Sequence, residues 1–289
     1  METLHKPVML KEVLEQLQPK TGESYLDFTA GYGGHAKAIL DVTRNYEKSA
    51  LVDRDEFAIA RLNEKFDGTG IKVIKSDFHS AALQFLQCGT SFDLILADFG
   101  VSSPQLDEAE RGFSFQQDGP LDMRMDRTSD FSARDIVNHY SERKLAELFM
   151  RYGEESPGLA RKHAREIVFN RPFETTLQLA NVFGPRKGKI HPATQVFQAI
   201  RIEVNDELGQ IERTLPLLPK LLNPGGRAAI ITFHSLEDRL VKEYFRMASS
   251  MGEESEIRVL TKSPVIAEKV ELGNNPRARS AKLRVIERV

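Results

Sequence analysis

The first hundred residues alternate between two hydrophobic periods, and this restricts the fold more than any other feature of the chain. Residues 24–28 (SYLDF), 49–53 (SALVD), 71–75 (IKVIK) and 92–98 (FDLILAD) are short apolar runs with the length of buried strands. Between them, residues 35–42, 56–66 and 80–86 carry helical spacing. Strands and helices in strict alternation imply a parallel sheet covered by helices on both faces, because parallel strands need crossover connections. Ahead of this block, Val8, Leu10, Val13, Leu14 and Leu17 line one face of a helix expected over 8–17.

After Asp98 the alternation stops. Helices are expected over 132–139, 141–152, 158–170 and 175–183, with Pro157, Pro172 and Pro185 as breaks. A longer helix is expected from 193 to about 214. The alternation resumes at 227–233 (RAAIITF), introduced by a turn at 223–226 (NPGG). A helix from about 236 to 248 and strands at 256–260 (EIRVL) and 281–287 (AKLRVIE) close the chain. The expected organisation is a discontinuous α/β domain, residues 1–105 and 206–289, interrupted by an all-helical insertion, residues 106–205.

Two features of composition bear on function. Cys88 is the only cysteine among 289 residues and the N-terminus lacks a signal-peptide pattern, so a cytoplasmic protein is expected, with no membrane association. The seven histidines lack metal-site spacing, and no metal is expected. The formal net charge is only −2, but residues 257–289 are basic, through Arg258, Lys262, Lys269, Arg277, Arg279, Lys282, Arg284 and Arg288. A basic tail can form a local footprint for phosphates, although on charge alone a solvated surface is the favoured reading.

The segment DFTAGYGGHA (27–36) lies between the first strand and a helix. Glycines there let the backbone approach a ligand, and the helix N-terminus presents free N–H groups. Asp53 ends the second strand, where a carboxylate can accept hydrogen bonds from ribose hydroxyls. Asp77 and Phe78 follow the third strand, where a polar group and an aromatic face can hold a purine. These strand ends converge on one crevice, whose natural occupant is a nucleoside-containing cofactor. The same glycines fit the dinucleotide fingerprint through Gly31, Gly33 and Ala36, so NAD stays open at this point, as does a merely structural turn. A last helix followed by two closely spaced strands suits the reversed terminal strand of methyltransferase sheets, an analogy of fold.

Residues 97–115 (ADFGVSSPQLDEAERGFSF) leave the fourth strand at the same edge. Asp98 is aimed at the reacting centre, and Ser102, Ser103, Pro104 and Gln105 form a stiff polar turn. An exocyclic amine is a weak nucleophile until an acceptor takes its N–H hydrogen bonds, and a loop carbonyl or carboxylate can do this. An ordinary turn capped by a serine is the simpler alternative. His234, in TFHSLEDR, leaves the next strand similarly, as a proton carrier, a phosphate ligand or a structural histidine. Arg277 and Arg279 in NNPRARSAKLR suit phosphate clamping, or a plain surface turn.

HKPVMLKEVL, DFTAGYGGHA, ADFGVSSPQLDEAERGFSFQQDGPLDMRMD, YGEE, HPATQVFQAIRIEVNDEL, FHSLEDRLVK and NPRARSAKLR together resemble successive signatures of one family. It is the bacterial 16S rRNA cytosine-N4 methyltransferase family, ribosomal RNA small subunit methyltransferase H, and the match spans nearly the whole chain. The resemblance implies a class I S-adenosylmethionine-dependent methyltransferase domain, Rossmann-like and mostly parallel with a reversed terminal strand, carrying a helical insertion. It implies S-adenosylmethionine as methyl donor and a cytidine of the ribosomal decoding region as substrate. The partner would be 16S rRNA within the 30S subunit or a late assembly intermediate, met by a monomer or homodimer. By position, the implied cofactor contacts are Gly33, Gly34 and His35, then Asp53, Phe78, Asp98 and Gln105, with Gly31 in the same turn. Asp98, Ser102, Ser103, Pro104 and His234 are the candidate catalytic residues. Arg239, Arg277 and Arg279 are candidate contacts to RNA, and Arg143, Lys144, Arg151, Arg161, Lys162, Arg165, Arg186, Lys187 and Lys189 a candidate groove wall. Phe99 stands where the family usually has a smaller aliphatic residue.

Overall fold

The structure is a computed structural model that describes residues 7–185, 191–250, 252 and 255–289. It divides the chain into two compact units, one of residues 1–100 and 208–289, the other of residues 101–207. The turn at 102–105, assigned from the sequence to the first domain, therefore lies in the second unit. The reason is packing, since Val101 and Leu106 join the apolar core of the insertion.

The first unit is built on one sheet of seven strands. In chain order these are β1 (Tyr25–Asp27), β2 (Ala50–Asp53), β3 (Lys72–Lys75), β4 (Phe92–Asp98), β5 (Leu222–Thr232), β6 (Ile257–Val259) and β7 (Lys282–Arg288). Their order across the sheet is β3-β2-β1-β4-β5-β7-β6. The first five run parallel, and β7 pairs antiparallel with both β5 and β6. The reversed strand is thus last in sequence but lies inside the sheet, with β6 at the edge. Pairing on both sides accounts for the apolar run in β7, where Leu283, Val285 and Ile286 are fully buried.

Helices α1 (Leu10–Leu17), α2 (Gly34–Thr43), α3 (Glu56–Lys65) and α4 (Phe78–Gln87) connect the early strands. Asp55 caps α3 by accepting from the Phe57 amide at 3.0 Å, and Asp77 caps α4 by accepting from the Ser80 amide at 2.8 Å. Two apolar clusters lie in this unit, one containing Leu26, Val52, Ile95 and Ile230, the other Leu51, Leu94, Leu96 and Ile231. Adjacent residues of each strand, such as Leu51 and Val52, divide between the two clusters, as side chains alternating across a two-sided sheet must.

Three expectations need correction. Residues 223–226 are not a turn ahead of the strand but the first part of β5, where the pairing register with β4 shifts between Phe92 and Leu94. A bulge tolerates the Pro-Gly-Gly run that a regular ladder would not. The helix expected over 193 to about 214 is two helices, α10 (Ala193–Asn205) and α11 (Glu207–Thr214), because Asp206 turns left-handed at φ 48°. Arg201 donates to both carboxylate oxygens of Glu207 at 2.9 and 3.0 Å, bracing that break. The first helix starts at Leu10 rather than Val8, since Met9 is left-handed and its amide donates to Glu271 of α14 (Lys269–Asn274) at 2.9 Å.

The second unit carries α5 (Ser103–Asp107), α6 (Ala133–His139), α7 (Glu142–Tyr152), α8 (Pro157–Phe169), α9 (Thr176–Val182) and α10. Its core includes Ile136, Leu145, Phe149, Ile167, Leu179, Val196 and Ile200. Gly112, at φ 69°, sits where an added Cβ would lie 2.1 Å from the Pro120 carbonyl oxygen. The unit also encloses an acid–base pair, His163 Nδ1 with Glu155 Oε1 at 2.8 Å.

Helix α13 (Ser235–Ser249) is fastened to β7 by charge. Asp238 accepts from Arg284 Nε at 2.7 Å and from Lys282 Nζ at 2.9 Å, and both Asp238 and Arg284 are buried. Removing one member of a buried pair leaves an uncompensated charge, so Arg284→Ala is expected to lower unfolding free energy by about 3 kcal/mol in urea titration. Combining it with Asp238→Leu should restore much of the loss. A double variant no more stable than the single one would contradict this role.

Candidate cofactor crevice

The glycine turn is shaped by the acid at the end of β2. Asp53 Oδ2 accepts from the Gly31 amide at 2.8 Å, while its Oδ1 accepts from the Asp55 amide at 2.8 Å. Gly31 and Gly33 take positive φ of 50° and 68°. At Gly33 a Cβ would also come within 2.8 Å of the Phe66 ring, so glycine is required there by backbone and space alike. Gly33 precedes α2, which opens with Gly34 and His35. His35 is buried, and its Nε2 donates to the Val8 carbonyl at 2.9 Å. That bond leaves Nδ1 toward Asp98, 3.9 Å from Oδ2.

Asp98 ends β4. Its amide donates to Thr29 Oγ1 at 2.6 Å. Its carboxyl is held well above the usual carboxylate range by burial first, then by the charges of Asp27 and Glu237. One of its oxygens, Oδ1, is buried without a hydrogen-bond partner among the described residues. A buried acceptor left open at a strand end is where a cationic or hydrogen-bonding ligand belongs. Burial likewise raises Asp53, against the opposing hydrogen bonds of Asp55 and Gly31.

Phe78 opens α4 at the end of β3 and meets Phe99 with ring centroids 5.2 Å apart. Phe99 thereby joins Phe78 in an aromatic pair at this edge of the sheet, and a Cβ at Gly100 would lie 3.1 Å from the Phe233 ring. Asp77, a candidate for holding a purine, instead spends a carboxylate oxygen on capping α4.

Gly31, Gly33, Gly34, His35, Asp53, Phe78 and Asp98 thus all stand at the carboxyl ends of β1 to β4. His234 stands at the end of β5 but is engaged as the cap of α13. Its Nδ1 accepts from the Glu237 amide at 3.4 Å, and Glu237 accepts in return from the Phe233 amide at 2.7 Å. The His234 Nδ1 thus serves the helix cap, while its Nε2 is buried without a hydrogen-bond partner among the described residues. Arg239 is exposed on the first turns of α13. Arg277 and Arg279 lie in a 3-10 turn, Pro276–Arg279, half-buried and exposed respectively.

In the second unit Ser102 caps α5 through a reciprocal pair, its amide donating to Gln105 Oε1 at 3.0 Å and its hydroxyl accepting from the Gln105 amide at 3.5 Å. Pro104 lies in the first turn, where a missing N–H costs nothing, and the backbone of Ser103 starts the helix. Of the basic residues expected to form a groove wall, Arg143, Arg165 and Lys162 each lie within 4.0 Å of a glutamate on the same unit. Lys144 sits 3.5 Å from the centroid of the Tyr140 ring, and Arg151 5.0 Å from that of Tyr152. Arg186, Lys187 and Lys189 lie outside the described residues. These neighbours make the helical face less strongly cationic than the basic residues alone imply.

The sequence reading passed over Tyr25, Asp27 and Thr29. Asp27 is buried at the base of the turn, where Tyr25 donates to it from its hydroxyl at 2.7 Å and Thr29 from its amide at 3.1 Å. Burial pushes its carboxyl up to about 7. An acid inside an otherwise apolar strand was the available signal.

A model of one protein family, the MraW methylase family, matches residues 2–289. The chain belongs to the MraW methylase family. It is 47% identical over 292 residues to a ribosomal RNA small subunit methyltransferase H of Nostoc sp., covering 98% of this chain and 92% of that one. A relative of the same name from Synechocystis sp. is 45% identical over 298 residues, covering 99% and 93%. Membership makes the chain a S-adenosylmethionine-dependent rRNA methylase, and the α/β sheet with its one reversed strand is the fold that class uses. No helix among the described residues is long and apolar enough to cross a membrane.

Proposed function

We propose that the protein methylates the N4 amine of a cytidine in the decoding region of 16S rRNA, acting in the cytoplasm on the 30S subunit or a late assembly intermediate. The observation that carries the amine assignment is Asp98, a half-buried carboxyl at the end of β4 whose Oδ1 is buried without a hydrogen-bond partner among the described residues. S-adenosylmethionine supplies an electrophilic methyl on a sulfonium sulfur. The cytosine amine must be made nucleophilic by an acceptor for its N–H groups, and Asp98 is that acceptor. Methylating ring carbon 5 would instead need a nucleophile to add to the ring first. The only cysteine, Cys88, is exposed at the far end of α4, about 15 Å of helix from Phe78. It is remote from the crevice.

Asp53 accepts the ribose hydroxyls, Gly33, Gly34 and His35 form the cradle for the amino-acid end, and Phe78 packs on the adenine. The cytidine is splayed out of an irregular RNA region to reach Asp98. Arg239, Arg277 and Arg279 hold phosphates near the C-terminal turn, and the helical insertion contributes one wall of the RNA groove.

Labelled S-adenosylmethionine given to the protein with undermodified 30S subunits should yield N4-methylcytidine after digestion to nucleosides. Labelled 5-methylcytidine would contradict the amine assignment. Replacing Arg277 and Arg279 together by alanine should weaken RNA binding and flatten its logarithmic salt dependence by about 1–2 in slope. A slope equal to that of the parent would leave these arginines as surface residues.

A further inference from the structure

Two carboxyls stand at the ends of adjacent strands, Asp27 buried on β1 and Asp98 half-buried on β4. Asp27 on β1 takes the Tyr25 hydroxyl at 2.7 Å and the Thr29 amide at 3.1 Å, and Thr29 Oγ1 accepts the Asp98 amide at 2.6 Å. Thr29 thus bonds the Asp27 carboxylate and the main chain of Asp98, at the ends of the adjacent parallel strands β1 and β4. The groups facing them from neighbouring elements are Asp53 at the end of β2, His35 on α2 and Glu237 on α13. The charges acting most strongly on the pair are negative, Asp53 on Asp27, and Asp27 with Glu237 on Asp98. A structural role alone would favour neutral partners here, since neighbouring buried carboxylates repel.

We propose that Asp27 and Asp98 form a charge-reading pair that distinguishes the sulfonium methyl donor from its neutral thioether product, with Asp27 the positioning residue that sets the proton occupancy of Asp98. The proposal rests on the placement of the cofactor in this crevice. Without a cation the pair holds its protons, because ionisation would place like charges side by side in a buried site. A sulfonium beside Asp98 offsets that repulsion, and one proton leaves to solvent. In the transfer, the sulfur–methyl bond breaks with its electron pair left on sulfur and the nitrogen–methyl bond forms. The proton displaced from the amine goes to the Asp98 carboxylate. Sulfur and carboxyl are then both neutral, so the product loses the attraction that held the donor.

The pH consequence has a definite sign. Asp27 sits at about 7, above its ordinary value, so it subtracts stability from the ligand-free protein as pH rises through the range up to about 7. The cationic donor restores that stability and the neutral product does not.

The test is calorimetric titration of the full chain with S-adenosylmethionine and with S-adenosylhomocysteine, in buffers of differing ionisation enthalpy from about pH 6 to about pH 8. Over this range the donor should release more protons than the product, so the affinity ratio of donor to product rises with pH. Asp27→Asn should move that rise to lower pH by removing the repelling charge. Tyr25→Phe should move it the same way but less far, because losing a hydrogen bond that favours ionised Asp27 leaves that acid neutral more of the time. Should Asp27→Asn fail to fold, the parent protein and Tyr25→Phe carry the test. Equal proton release for both molecules, or a rise unmoved by either variant, overturns the proposal while leaving the cofactor's placement intact. Failure of both molecules to bind overturns that placement, and the proposal with it.

Discussion

Asp53→Ala is expected to weaken S-adenosylmethionine binding about a hundredfold or more, measured by calorimetry. Two effects add. The carboxylate's hydrogen bonds to the ribose hydroxyls are charge-assisted, and each such bond contributes about 1.5–3 kcal/mol. The same carboxylate also holds the turn, because Oδ2 takes the Gly31 amide and Oδ1 the Asp55 amide. Losing it frees the glycine segment that must be ordered before the cofactor can seat, so binding bears that ordering cost as well. Thermal unfolding of the variant checks that the chain still folds. Unchanged affinity in a folded variant would remove Asp53 from the site.

Gly112→Ala is expected to destabilise the second unit by several kcal/mol, among the largest effects of any single methyl group in the chain. The backbone there is left-handed at φ 69°, which costs an L-residue about 1 kcal/mol. The larger part is steric. The new Cβ would lie 2.1 Å from the Pro120 carbonyl oxygen and 2.9 Å from the Asp122 amide nitrogen. Neither is the far end of a flexible side chain, so the backbone must move. Asp122 is not free to yield cheaply, because its carboxylate is held by Arg124 at 2.6 Å and its carbonyl takes the Ala133 amide at 2.8 Å. Denaturant titration should show a transition at much lower concentration, with Gly158→Ala, where nothing lies within 4 Å, as the neutral comparison. Equal stability of the two variants would contradict the close approach.

The parts of the fold legible from sequence are those where one physical signal dominates. Strands buried on both faces read as continuous apolar runs, so β1, β2 and β4 could be placed from residue types alone, while the edge strand β3 has half-buried Val73 and Ile74 between exposed lysines. What stayed hidden depends on distant partners. Helix α14 (KVELGN) has no buried face of its own, and it is tied to the first helix through Glu271 with the Met9 amide and Glu12 with the Glu268 amide. The break at Asp206 has no glycine or proline to announce it. Its cause is a set of side-chain contacts, with Asn205 bonded to the Met123 carbonyl and the Met125 amide at 2.8 and 2.9 Å.

The site divides in the same way. Gly33, Asp53 and Asp98 could be read because each stands next to a strand end, a position set by local pattern. Asp27 could not, since its importance comes from burial beside Asp98 and from the hydroxyl of Tyr25, neither of which spacing reveals. His234 shows the converse: its place after β5 suggested chemistry, while the bonds it makes with Glu237 fix it as a helix cap.

The most direct measurement is the position of the methyl group. Undermodified 30S subunits, treated with the protein and labelled S-adenosylmethionine, can be digested and their 16S rRNA fragments sequenced by mass. A single labelled cytidine in the decoding region, absent when Asp98 is replaced by alanine, is the expected result. Label on a nucleotide elsewhere in 16S rRNA, or full labelling by the Asp98→Ala variant, would contradict the proposed function.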